Sequence, residues 1–339
     1  MNSKTLFPYK ILLVKDAGYI YSKGYRLFEY DETIGRSTII GIIPDRKYSL
    51  LAELSLTRRF FRAEITGLYE LQEGSLIAIA KKGLFKKAAD SSRFKKCFSV
   101  PRGSKPLNLC VLPNGHIFFG EYFMNMEKKS VHVYCSVDNG ETWNAVYTFE
   151  EGNINHIHGL FYDKYTDQMW CLTGDRENEC IIGYTEDEFK TFVEVFRGGQ
   201  EFRSCQLFFY PDYITYATDS QYLKNHIKKI DRKSLEITDL CKIQGTAIKG
   251  RQTGDGCMLS TTVEPSEVNT DRYSHLWFSR DGLIWEELFS AKKDSLPAIM
   301  QFGSIEFPEY KCEVGTQIYC SGRALRRYDG KSLIIKLNK

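Results

Sequence analysis

Residues 135–143 read CSVDNGETW, in which Ser136, Asp138, Gly140, Thr142 and Trp143 fit the spacing S-x-D-x-G-x-T-W. YTEDEFKTF (184–192) repeats it with Thr185, Asp187, Phe189 in place of glycine, Thr191 and Phe192. FSRDGLIW (278–285) keeps Ser279, Asp281, Gly282 and Trp285 in a version one residue shorter. Extending the register gives Asp31, Asp90, Asp231 and Asp329, so that seven aspartates follow one another at gaps of 59, 48, 49, 44, 50 and 48 residues. Between them run short alternating stretches rich in Tyr, Phe, Ile, Val and Thr, broken by Gly, Asp, Asn and Lys, which is the pattern of half-buried antiparallel strands. A period in the forties with about four short strands per unit predicts an all-β, seven-bladed β-propeller of four-stranded antiparallel blades, with six blades as the alternative. The whole chain, 1–339, reads as one propeller domain. The extra length of the first gap predicts an inserted loop or short helix near 46–60. Each aspartate is expected in the turn between the last two strands of its unit, accepting backbone N–H bonds, with Gly140 at a positive φ and Trp143 packed between blades. IYSKGYRLFEYD (20–31) and IYCSGRALRRYD (318–329) align without a gap, which places the first and last units in the same register.

The boxes resemble the Asp-box (BNR) repeats of the sialidase-like β-propeller superfamily. That superfamily also holds other glycosidases, some polysaccharide lyases and non-enzymatic binding propellers. The resemblance implies the propeller fold and a site at the mouth of the central channel. It does not imply sialidase chemistry here. Such sialidases use an early R-I-P stretch and an arginine triad, whereas Ile42 precedes Ile43-Pro44 and only Arg62 and Arg203 are candidates for the triad.

Composition narrows the classes further. The 339 residues carry 46 Lys plus Arg against 43 Asp plus Glu, a balance too even for a dedicated duplex binder or a polybasic membrane-surface protein, so neither nucleic acid nor membrane is expected as a partner. The N-terminal apolar run spans only Ile11 to Val14, short of a signal-peptide core, and leads to the expectation of a cytoplasmic chain. Ten isolated cysteines with no C-x-x-C pair read as reduced, small apolar residues. Walker A, G-x-G-x-x-G, H-E-x-x-H and G-x-S-x-G motifs are absent from the sequence.

In a four-stranded blade the start of the innermost strand and the end of the second meet at one face, beside the channel. Aligning the units nominates a ring there. Second-strand ends offer Lys82, Glu121-Tyr122, Asp175 and Asp219; inner-strand starts offer Arg62, Asn108, Asn155 to His158, Arg203, Arg251 and Gln301. His156 and His158 lie on one side of a strand, about 6.5 to 7 Å apart along it. They suit backbone hydrogen bonding, general acid/base work, or a divalent metal held with Asp175 or Asp219; spacing leaves all three open. The candidate catalytic residues are therefore His156, His158, Asp175, Asp219 and Glu121. The candidate substrate-binding residues are Arg62, Arg203, Lys82 and Tyr122, since a fork of cations and an amphipathic ring suit an anionic sugar. The expectation is an enzyme cleaving an acidic oligo- or polysaccharide, as a glycoside hydrolase or polysaccharide lyase, with no obligatory cofactor. The alternative is a non-catalytic propeller binding a glycan or protein on the same face.

Overall fold

In the computed structural model, which describes residues 4–313 and 315–337, nearly all regular structure is short antiparallel strand. Five sheets are each built on four consecutive strands in chain order: Lys10–Lys15 to Arg36–Ile42, to which Glu309–Tyr310 adds in parallel, Gly67–Glu70 to Lys95–Ser99, Cys110–Val111 to Asn144–Phe149, His156–Asp163 to Val193–Arg197, and Ser204–Phe209 to Ile237–Lys242. A sixth, eight-stranded sheet has two limbs: the strands of 246–292, and the three of 303–336 with the N-terminal Lys4–Phe7 added at the edge. The limbs are stitched by Thr262↔Ser304 and Val263↔Gly303.

Burial explains why these residues make these strands. Second strands such as Leu76–Ala80 (LIAIA) and Gly256–Val263 are buried along their whole length, because neighbouring sheets cover both faces. Outer strands such as Lys95–Ser99 and Ile237–Lys242 are exposed or half-buried along their whole length. The apolar clusters lie between sheets rather than within one: Leu68 and Ala78 meet Leu13 and Leu27, and Trp170 and Leu172 meet Leu207 and Tyr216. The first strand of every sheet, and of both limbs of the eight-stranded one, lines a single central cavity of about 270 Å³. The arrangement is propeller-like.

The boxes do what their residue types dictate. Asp138 accepts from the backbone N–H groups of Glu141 and Thr142 and from the hydroxyls of Ser136 and Thr142. Gly140 stands at φ 83°, and a Cβ there would lie 2.4 Å from Ile77 of the preceding sheet. Asp187 and Asp281 repeat the turn, and Asp31 and Asp231 hold shorter versions. The Trp143 ring reaches from its own sheet (Phe119, centroids 5.1 Å apart) to the preceding one (Phe98, 6.0 Å), with its N–H on Gly140 O. Because the ring is half-buried, Trp143→Ala is expected to lower unfolding free energy by about 2 to 3 kcal/mol in urea titration. A loss under ~1 kcal/mol would show that the ring does not couple the two sheets.

Two sequence expectations are corrected. Asp329 is not a turn between the last two strands of its unit. It lies between Gln317–Arg323 and Ser332–Lys336, accepts from Ala324 N and pairs with Arg58. The outermost strand of that unit is Lys4–Phe7, paired from Lys4↔Ile335 to Phe7↔Ser332, so the ends of the chain close one sheet together. Arg251 is not at a strand start either. Its strand is Thr246–Thr253, and it sits within the cavity paired to Glu309.

The long first gap forms two helices, α1 (Arg46–Leu51) and α2 (Ser55–Phe61). Asp45 caps α1 by accepting from Tyr48 N, and α2 ends where Arg62 turns left-handed at φ 54°. Arg58 and the buried Arg59 tie α2 to Asp329 and Asp294 of the closing region. All ten cysteines are unpaired, seven of them buried. Among the described residues no helix is long and apolar enough to cross a membrane.

Candidate functional site

The strand His156–Asp163 pairs with Gln168–Gly174, but its register shifts between Ile157 and Gly159, so His158 is the extra residue of a β-bulge. The same irregularity recurs near the start of the first strand in the sheet of 10–42, the sheet of 204–242 and the limb of 246–292. Bulges re-aim side chains. Here the bulge turns two imidazoles that regular alternation would hold 6.5 to 7 Å apart into contact, with His156 Nε2 and His158 Nε2 3.1 Å from each other. Gly174, at the end of the partner strand, makes room: a Cβ there would sit 2.6 Å from His158 Cε1.

The other nitrogens are already committed. His156 Nδ1 lies 2.9 Å from Phe123 O, and His158 Nδ1 lies 2.8 Å from Ser204 O. Each contact with a carbonyl needs a ring N–H, and the Nε2 to Nε2 contact needs one more. Two neutral imidazoles carry only two. Asp175 adds oxygens 3.3 Å from His158 Nε2 and 3.5 Å from His156 Nε2. These acceptors face one another without a donor of their own, and an extra proton, a cation or a bridging O–H donor would satisfy them. Burial, the largest influence on His158, pushes its pKa below the usual value and so opposes the extra proton. Two nitrogens and a carboxylate within reach of one point suit a divalent transition-metal ion.

Arg203 organises the carboxylates. Its Nη2 lies 2.9 Å from Asp175 Oδ1, and its Nε lies 3.5 Å from Asp219 Oδ2. Asn155 Nδ2 donates to the other Asp175 oxygen at 2.8 Å, and Gln200 holds the Asp175 carbonyl. Burial alone would raise the Asp175 pKa. Contacts with His156 and His158 outweigh it and hold the carboxyl far below its usual range. Asp219 goes the other way: burial dominates the attraction of Arg203, and its pKa is raised to about 7. Its Oδ1 is buried with no hydrogen-bond partner among the described residues, while Oδ2 accepts from the Cys205 thiol at 3.4 Å. Tyr122 lies with its ring centroid 4.3 Å from that of His156.

A stability consequence follows from Asp219. A carboxyl whose folded pKa is raised keeps its proton in the native state between the unfolded value near 3.8 and about 7, so ionisation destabilises the fold as pH climbs through that window. The difference in unfolding free energy between Asp219→Asn and the unsubstituted protein is expected to move in favour of the variant by up to about 4 kcal/mol from pH 4 to pH 8, at about 1.4 kcal/mol per unit. A difference constant across that range would show that Asp219 titrates normally.

The structure brings together His156, His158, Asp175, Asp219, Arg203 and Tyr122. Glu121 is not among them. Its buried carboxylate is held by Arg102 and by the backbone N–H of His132, and only its carbonyl reaches the neighbouring sheet, accepting from Ile157 N. Arg62 and Lys82 are exposed beside Lys81, outside the contacts of the histidine cluster. Cys205 and Gly174 join the cluster. Cys205 reads with the other cysteines as a small apolar residue, although it follows Arg203 by two positions, and only the bulge reveals the closeness of Gly174 to His158.

No family model matches the chain, and no curated protein matches it. Solved structures do. An oligogalacturonate lyase in complex with manganese aligns with TM-score 0.62 and 8% identity, over 99% of this chain and 91% of that one. A chain of the mitotic checkpoint complex aligns with TM-score 0.57 and 8% identity over the same shares. A prolyl endopeptidase aligns with TM-score 0.55 and 10% identity over 93% of this chain and 47% of that one. Their unrelated roles make the likeness one of fold: this chain has a β-propeller-like architecture shared by proteins of very different activity.

Proposed function

We propose that this chain is a seven-bladed propeller of the Asp-box type that cleaves an acidic oligo- or polysaccharide at its channel mouth by β-elimination. The eight-stranded sheet counts as two blades in this reading. The observation that carries the proposal is the convergence of His156 Nε2, His158 Nε2 and Asp175 on a point suited to a cation, next to Arg203 and a buried carboxyl with pKa about 7. His156, His158 and Asp175 would hold a divalent cation, which when bound neutralises a uronate carboxylate and so acidifies the α-proton. Asp219 is poised to take that proton near neutral pH. Arg203 fixes both aspartates and supplies positive charge as the enolate develops. The amphipathic ring of Tyr122 offers a sugar a stacking face.

Hydrolysis is the second reading, favoured by the opposite displacement of the Asp175 and Asp219 pKa values, the split that a hydrolase needs between its base and its acid. A panel of acidic and neutral polysaccharides, read for reducing ends and for unsaturated uronate together, separates the two. Both signals rising on acidic substrates supports elimination; reducing ends alone supports hydrolysis. Binding without either signal overturns the enzymatic reading and leaves a glycan-binding propeller.

A further inference from the structure

The cavity that His158 and Cys205 line also takes in Lys10, Lys249 and Glu306, which belong to a second charged cluster. Lys10 Nζ bridges Glu306 at 2.7 Å and Glu64 at 3.5 Å. Arg323 meets the same two carboxylates, with Nε 3.1 Å from Glu64, and Gln301 donates to Glu64 at 3.3 Å. Two cations thus satisfy two anions. Lys249, which lines the cavity, and Lys105, a charged neighbour of Lys249 and Glu64, stand among these charges in addition. Neither makes an ion pair or side-chain hydrogen bond among the described residues, and both feel Arg323 as a repelling neighbour and Glu306 as an attracting one. Lys249 is set toward the cavity by the register shift between Thr246 and Lys249. The loop bearing Lys105 is pinned at Ser104, whose carbonyl accepts from Lys82 N and whose hydroxyl accepts from Lys81 Nζ, both at 2.8 Å. Burial pushes both ammonium pKa values down, the mark of a cation lacking a counter-ion.

A half-buried ammonium without a partner is costly, and evolution tolerates such a group where a ligand completes it. We propose that Lys105 and Lys249 form an anion subsite that receives a second carboxylate or sulfate of a polyanionic glycan while another acidic unit lies at His156, His158 and Asp175. The identity of the ligand as a glycan rests on the proposed function; the anion subsite does not. Lysine ammoniums act as compact point charges and accept carboxylate or sulfate alike. The subsite makes a chain of at least two acidic units the preferred substrate, because a single unit leaves one cluster unmatched.

The test is competitive acetic anhydride labelling of the full chain, with and without millimolar inorganic sulfate, followed by mass spectrometry. Sulfate is expected to lower the labelling of Lys105 and Lys249 about fivefold or more relative to the exposed Lys190 and Lys233, and Lys105→Gln with Lys249→Gln to weaken sulfate binding by about tenfold or more with near-UV circular dichroism unchanged. Equal labelling with and without sulfate, or unchanged sulfate affinity in the folded double variant, overturns the subsite. Protection by sulfate without turnover of any acidic glycan removes the proposed function and keeps the subsite. Turnover with both lysines unprotected does the reverse.

Discussion

His158→Ala is expected to reduce turnover of an acidic glycan by about 10²- to 10⁴-fold, the range lost when a group acting on proton or charge at the reacting centre is deleted. The imidazole lies against Ser204 O, His156 Nε2, Asp175 and the face of Gly174. Its removal takes away one of the two converging nitrogens and the ring nitrogen that meets the Ser204 carbonyl. His156→Ala should cost a similar factor, since it removes the other nitrogen and the packing partner of Tyr122. Measured as kcat/KM beside thermal unfolding, a folded His158→Ala protein within about threefold of the unsubstituted rate would show that the pair is structural.

Arg203→Met is expected to lower stability near pH 7.5 by about 3 to 5 kcal/mol, the usual cost of leaving a buried charge without its partner. Arg203 is the cation shared by Asp175 and Asp219, both largely enclosed, and its loss forces one of them to bind a proton or the site to open. The two sites are coupled, so the cost of Arg203→Met should shrink by about 1 to 3 kcal/mol in an Asp219→Asn background, where one orphaned charge is already gone. Urea titrations of the four proteins in the cycle give the coupling directly. Strict additivity would mean that Arg203 and Asp219 do not interact, against the geometry.

How much of this could be read from residues alone depends on whether local chemistry or long-range pairing decides. The turn of CSVDNGETW is local: an aspartate, a glycine and a threonine at fixed offsets can satisfy one another's backbone groups, and they do. Alternation located the second-strand ends, so His156, His158, Asp175, Arg203 and Asp219 were nominated from ring positions that the fold brings together. Their contact distance was not legible. The bulge at His158 has no strong sequence mark, and the ring centroids stand 5.0 Å apart where regular alternation sets about 6.5 to 7 Å along the strand. Glu121 shows the same limit. Its strand position was read correctly, but Arg102, in a loop without periodic pattern, claims its carboxylate. Asp329 and the N-terminal strand fail for a topological reason: pairing Lys4–Phe7 with Ser332–Lys336 joins segments more than 300 residues apart, which no repeat register encodes. Lys105 and Lys249 were invisible as a pair because a half-buried, partnerless lysine is defined by its surroundings and not by its neighbours in sequence.

Stripping the protein with a chelator and restoring manganese stepwise, while following unsaturated-uronate formation, tests whether the converging nitrogens serve the proposed acidic-glycan reaction through a bound cation. Negligible turnover by the stripped protein, a linear rise that saturates near one equivalent of metal, and no recovery in folded His158→Ala are expected. Turnover that is undiminished after stripping, or that returns equally in the variant, would contradict that role.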